Sequence, residues 1–94
     1  MDPTHELDAA PLRFPPERLA RLMELTSKVQ CECPNHVARL VEALLSFEAY
    51  SRTCASRNEA DRALHASLTR SSLRARVIME QALAEVVEFE RIEV

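Results

Sequence analysis

Residues Gln30 to His36 read QCECPNH, and two of the three cysteines in the chain stand there one residue apart, followed by a proline and a histidine. Two thiolates and an imidazole could gather around one ion, with zinc or iron the metals that accept sulfur and nitrogen at ~2.0 to 2.3 Å. Structural sites of that kind use four ligands, commonly as two pairs, and Cys31, Cys33 and His36 supply three. The third cysteine, Cys54, lies roughly 31 Å from Cys33 along the helix expected between them. His65 is expected at the far end of a helical hairpin. Folding the last helix back brings Met79, Glu80 or Glu85 towards the cysteines, so a carboxylate, a water or a second copy would complete a metal site.

Chemistry without a metal is also open. A cysteine at a helix start faces unpaired N–H groups and the positive end of the dipole, which favour thiolate. Cys33 is then the expected reactive thiol, with Cys31 or His36 beside it. A disulfide between cysteines one residue apart closes a small, strained ring. The third reading is that both cysteines simply pack where two helices join.

The elements that must position these residues follow from punctuation and periodicity. Met1 to Phe14 has Pro3, Pro11 and no sustained apolar period, and is expected as a flexible arm ahead of one helical domain over residues 15–94. Pro15 and Pro16 suit the first turn of a helix, with Leu19, Leu22, Met23 and Val29 as its inner stripe. Pro34 marks a second helix running to about Arg57, with Val37, Leu40, Val41, Leu44, Phe47 and Tyr50 or Ser51 recurring at three- and four-residue steps. Asn58 has the side chain of an N-cap for a third helix of over thirty residues. In it Leu64, Leu68, Ser71, Ala75, Ile78, Ala82, Val86 and Phe89 repeat close to a heptad, with Leu73, Val77 and Met79 widening the stripe.

Composition supports packed helices. The apolar 47% of the chain is mostly Leu, Ala and Val, with few aromatics, and the sequence has no glycine. Tight hairpin turns and phosphate-cradling loops rely on glycine, so sheets, nucleotide loops and dinucleotide folds are disfavoured together. The expected fold class is all-α: an antiparallel helical hairpin with a long C-terminal helix and a shorter N-terminal helix. A chain of 94 residues buries only about 60 to 65% of its unfolded surface, so pairing into a helical bundle is the expected source of further core.

A formal net charge of −3 makes nucleic acid an improbable partner. Charge is nevertheless segregated: arginines gather from Arg52 to Arg76, and glutamates from Glu80 to Glu93. Such faces are either solvated, or meet in antiparallel or head-to-tail self-association, or take an acidic partner. No apolar run approaches the ~20 residues that span a bilayer, and an odd number of cysteines suits a reducing compartment, so a cytoplasmic protein is expected. No Ser/His/Asp triad, paired-carboxylate pattern or nucleotide loop stands out, and no enzymatic activity is expected.

The run CECPNHVARLVEALLSFEAYSRTC, then NEADRALH and a long final helix, resembles a segment towards the C-terminus of some bacterial MerR-type transcriptional regulators, over roughly Leu19 to Val87. The resemblance implies an accessory regulatory or dimerising module. No DNA recognition is expected from it, the segment lying too near the first residue given for a DNA-binding domain ahead of it. It names no ligand.

These readings converge on a regulatory, protein-interaction module, a homodimer formed through Leu64, Leu68, Ala75, Ile78, Ala82 and Val86. Arg62, Arg70, Arg74 and Arg76 form a charged face for a protein partner. The alternative is a metal- or redox-responsive sensor built on Cys31, Cys33 and His36.

Overall fold

The structure, a computed structural model, describes residues 11–25 and 31–93. Among them are three helices and no strand: α1 (Pro16–Met23), α2 (Cys33–Thr53) and α3 (Glu59–Glu90). The fold is all-α, an antiparallel α2–α3 hairpin against which the short α1 packs.

Helix starts follow local chemistry. Pro15 holds an extended N-cap conformation, φ −66° and ψ 157°, and Pro16 occupies the first turn, where its missing N–H is no loss. Pro34 does the same for α2, whose N-cap is Glu32. Asn58 caps α3, its Oδ1 accepting from the Asp61 N–H at 2.8 Å. The end of α3 has no glycine to turn on, and Arg91 adopts the left-handed region at φ 54°. That conformation costs a non-glycine residue about 1 kcal/mol, offset by the Ile92 N–H bonding the Val87 carbonyl at 3.0 Å.

The expected second helix stops four residues early. Its Cys54 C-cap is extended, with ψ 129°, and the segment after it runs beside the first turns of α3. There the Arg57 N–H bonds Asp61 Oδ2 at 3.0 Å and Ser56 Oγ meets His65 Nδ1 at 3.1 Å. Residues that could have continued α2 are held by α3 instead. Ser51 therefore sits level with Thr69, their hydroxyls 2.8 Å apart.

Asp61 is held below the usual carboxylate range, first by the Arg57 N–H and then by the Arg57 side chain and His65, against a smaller opposing effect of burial. A carboxyl depressed in the folded state contributes stability above its unfolded pKa, near ~3.9, that is lost as pH falls through the folded value. Stability should therefore decline below about pH 4. Asp61→Asn should flatten this part of a stability-versus-pH curve from urea unfolding.

The core lies where all three helices meet, with Phe14, Leu19, Leu22, Ala38, Val41 and Leu83 buried together. Asn35, in the first turn of α2, gives its amide to the carbonyls of Leu22 and Met23 at 3.2 Å each, and to that of Leu25. It closes the end of α1 by satisfying carbonyls that have no helical partner.

Three expectations change. Of the arm, residues 11–14 are packed: Phe14 is 2% exposed, the Arg13 N–H bonds Glu80 Oε2 at 3.0 Å, and the Pro11 carbonyl accepts from Arg76. Residues 1–10 and Val29 lie outside the described residues. The inner face of α2 keeps Val41 and Ser51 of the expected stripe but is otherwise Pro34, Asn35, Ala38 and Glu48, leaving Leu40, Phe47 and Tyr50 exposed. The inner face of α3 is Thr69, Ser72, Leu73, Arg76, Glu80 and Leu83, which takes in Leu73 from the edge of the expected stripe and none of its heptad positions.

Arg76 thus leaves the charged face assigned to it. It is 1% exposed, with Nε 2.9 Å from Glu48 Oε1 and a terminal nitrogen 3.0 Å from Glu80 Oε1. Two buried carboxylates draw the guanidinium inwards, because a fork of donors satisfies both at once.

Candidate interaction face

Rejecting the heptad as the hairpin's own seam leaves it unpaired. Along α3, Leu64, Leu68, Ser71, Ala75, Ile78, Ala82, Glu85 and Phe89 recur at alternating steps of four and three. Leu64 is 53% exposed, Ile78 67% and Phe89 84%, while Leu68, Ala75, Ala82 and Val86 are half-buried. The dimer residues expected from sequence thus share one incompletely covered stripe.

A matching stripe exists on α2. His36, Leu40, Ala43, Phe47, Tyr50 and Cys54 follow the same alternation, and all but the half-buried Cys54 are exposed. The rings of Phe47 and Tyr50 stack with centroids 6.3 Å apart. At ~100° per residue, the α3 stripe lies about 140° and the α2 stripe about 155° from the buried residues of its own helix, so each faces largely outward from the hairpin.

The cysteines lie at the C-terminal end of the α3 stripe. Cys31 and Cys33 line a recess of about 370 Å³ with Glu85, Val86, Phe89 and Glu90. Cys31 Sγ lies 3.7 Å from Glu90 Oε1, too loose for more than a weak contact. The expected neighbour Glu80 is instead buried beside Arg76, because Ser51 is level with Thr69 and the hairpin register brings the last turns of α3 to Cys31.

His36 turns to Glu32, with Nε2 3.5 Å from the carboxylate, and both side chains are exposed. Among the described residues, no group of three or more His, Cys, Asp or Glu is placed to hold a metal ion. Nor does the helix start make Cys33 a thiolate. Its thiol is pushed above the usual cysteine range, first by the hydrogen bond and charge of Cys31, with burial and Glu90 adding to it, and these outweigh its own backbone N–H. Alkylation of Cys33 at neutral pH should therefore be slow and rise with pH. Cys31→Ser should speed it, as read by mass spectrometry of the labelled peptide.

A second cluster was not legible in advance. Ser56, His65 and Asp61 form a chain, with Ser56 Oγ 3.1 Å from His65 Nδ1 and Asp61 Oδ1 3.7 Å from Nε2. The order resembles a nucleophilic triad. However, 3.7 Å exceeds hydrogen-bond reach, and the other Asp61 oxygen accepts from Arg57. The cluster holds the interhelical segment against α3, and His65 is a half-buried, partnered histidine.

The remaining arginines of the charged face divide. Arg62 pairs with Glu59 at 2.5 Å, whereas Arg70 and Arg74 make no ion pair among the described residues. No helix among the described residues is long and apolar enough to cross a membrane. No protein-family model, curated protein or solved structure matches the chain, so its function has to be argued from the unpaired face itself.

Proposed function

We propose that this chain is a non-enzymatic regulatory module of the bacterial cytoplasm that forms a homodimer through Leu64, Leu68, Ala75, Ile78, Ala82 and Val86 of α3 and presents the remaining helical surface to a protein partner. One observation carries the reading: Leu64, Ile78 and Phe89 stand exposed at heptad spacing on a helix whose own hairpin seam lies elsewhere. Apolar side chains left exposed along one stripe of a helix are what a partner helix covers. The resemblance of CECPNH and FEAYS to an accessory segment of MerR-type regulators supports the regulatory setting. Arg62, Arg70 and Arg74 supply the charged part of the surface.

Self-association makes unfolding depend on concentration. The thermal midpoint should rise across a hundredfold increase in protein, and Leu68→Glu should remove that dependence. A midpoint unchanged across the series in the unmodified chain contradicts the reading.

A further inference from the structure

We infer that the recess between α3 and residues 11–14 is a docking site for a peptide segment of a protein partner, one apolar side chain entering the recess and acidic residues beside it pairing with Arg70 and Arg74. It rests on the partner-binding half of the reading above, not on the homodimer, and names the place and the chemistry.

The recess comes first. Pro11, Arg13, Val77, Ile78, Glu80 and Gln81 line an opening of about 500 Å³, inside the ~300 to 1,000 Å³ of sites that take a ligand. Val77 and Ile78 are exposed in it. Glu80 is already held by Arg76 at 3.0 Å and by the Arg13 N–H at 3.0 Å, and Arg13 Nη1 donates to Gln81 Oε1 at 2.8 Å. These contacts tie residues 11–14 to α3, so the opening is preformed and little has to be ordered when a peptide arrives.

Charge selects the occupant. At ~100° per residue Arg70, Arg74, Val77, Gln81, Glu85 and Glu88 fall within about 80° of one another, on a face of α3 roughly 100° round from the dimer stripe, with Ile78 at the boundary. Arg70 is half-buried and Arg74 exposed, and neither makes an ion pair among the described residues. Both stand ahead of the recess, and Glu85 and Glu88 stand beyond it. A segment lying along this face is therefore recognised by carboxylates at one end, an apolar anchor in the middle and a cation at the other. A nucleic-acid strand or an anionic bilayer would carry its negative charge over Glu85 and Glu88 as well. That repulsion favours a peptide, whose charge can change sign along its length.

Spacing follows from the helix rise. Arg74 and Arg70 lie ~4.5 and ~10.5 Å before Val77 along the axis, and Glu85 lies ~12 Å after it. At ~3.3 Å per residue, an extended peptide places acidic residues about one and three positions from its anchor on one side and a basic residue about four positions away on the other.

The test uses a fluorescein-labelled synthetic peptide of that pattern, with two glutamates, a single leucine and a lysine, read by anisotropy against the full chain. Saturable binding is expected, weakened at least ~tenfold by Arg70→Glu with Arg74→Glu, by Val77→Glu, and by serine in place of the leucine. A peptide with lysines for the glutamates should bind the double variant better than it binds the unmodified chain. Helix content by circular dichroism should stay unchanged, because Arg70, Arg74 and Val77 lie off the buried seam of α3. No saturable binding below about 1 mM, equal binding of the leucine and serine peptides, or equal binding by the double variant overturns the inference. Vesicles of anionic lipid should not compete; if they take the place of the peptide through the same arginines, the site is a membrane contact and the inference falls. Sedimentation of the same samples keeps the two readings apart. A monomer that binds the peptide overturns the homodimer alone, and a dimer that does not bind it overturns this inference alone. A double variant that no longer pairs makes a second copy the occupant, which also overturns it.

Discussion

Arg76→Ala is expected to lower the stability of the folded chain by about 3 to 5 kcal/mol, the cost of breaking a buried ion pair by removing one partner. Arg76 is 1% exposed and lies between Glu48 and Glu80, which are 8% and 3% exposed. Truncation leaves two carboxylates in the interior with fewer donors: Glu48 keeps Arg52 at 3.3 Å, and Glu80 keeps the Arg13 N–H at 3.0 Å. It also opens a cavity and frees the Pro11 carbonyl, so the packing of residues 11–14 should loosen with it. Domains of this size are stable by only about 5 to 10 kcal/mol, so the loss should show as a large drop in the urea midpoint.

The comparison that gives this prediction meaning is the triple replacement Glu48→Leu, Arg76→Met and Glu80→Leu. Desolvation of a buried triad can offset its Coulombic gain, and an apolar set of similar volume is often neutral. The triple variant should come within about 2 kcal/mol of the unmodified chain, far above Arg76→Ala. Arg76→Lys should fall between them, since an ammonium cannot reproduce the fork that reaches both carboxylates.

The second large effect is on association. Ile78→Glu is expected to weaken pairing at least ~100-fold, because it buries a carboxylate midway along the paired stripe in place of an apolar side chain. In a single copy Ile78 is 67% exposed, so the hairpin itself loses little from the change. That asymmetry separates an interface residue from a core residue. Leu83, 0% exposed, provides the contrast: Leu83→Ala should cost about 2 to 5 kcal/mol in folding, as expected for a buried leucine.

The helices were legible because their signals are local. Pro16, Pro34 and Asn58 each specify a helix start through the chemistry of one residue, and each start lies where it was expected. Periodicity correctly placed apolar stripes on two helix faces but misread which face meets the hairpin. A heptad announces a seam without saying with what, and the intrachain seam is unusually polar, made by Glu48, Ser51, Thr69, Arg76 and Glu80. Charge at such positions reads as solvent exposure until the pairing across helices is known. The spacing of Arg76 and Glu80, four apart, was the available signal, and Glu48 as their counterion requires the register.

That register depends on the segment after Cys54. The early stop of α2 follows from Asp61 and His65 holding Arg57 and Ser56, contacts that no single-helix pattern encodes. It also accounts for the cysteines. With Ser51 level with Thr69, the turn carrying Cys31 and Cys33 meets Phe89 and Glu90, and the two residues become one wall of an apolar recess.

Sedimentation equilibrium of the whole chain at micromolar concentration tests the central claim most directly. The account predicts a mass near twice the 10.7 kDa of one copy, and a return to one copy in Ile78→Glu. A single-copy mass for the unmodified chain throughout the concentration series would contradict it, as would an Ile78→Glu variant that sediments as the same dimer.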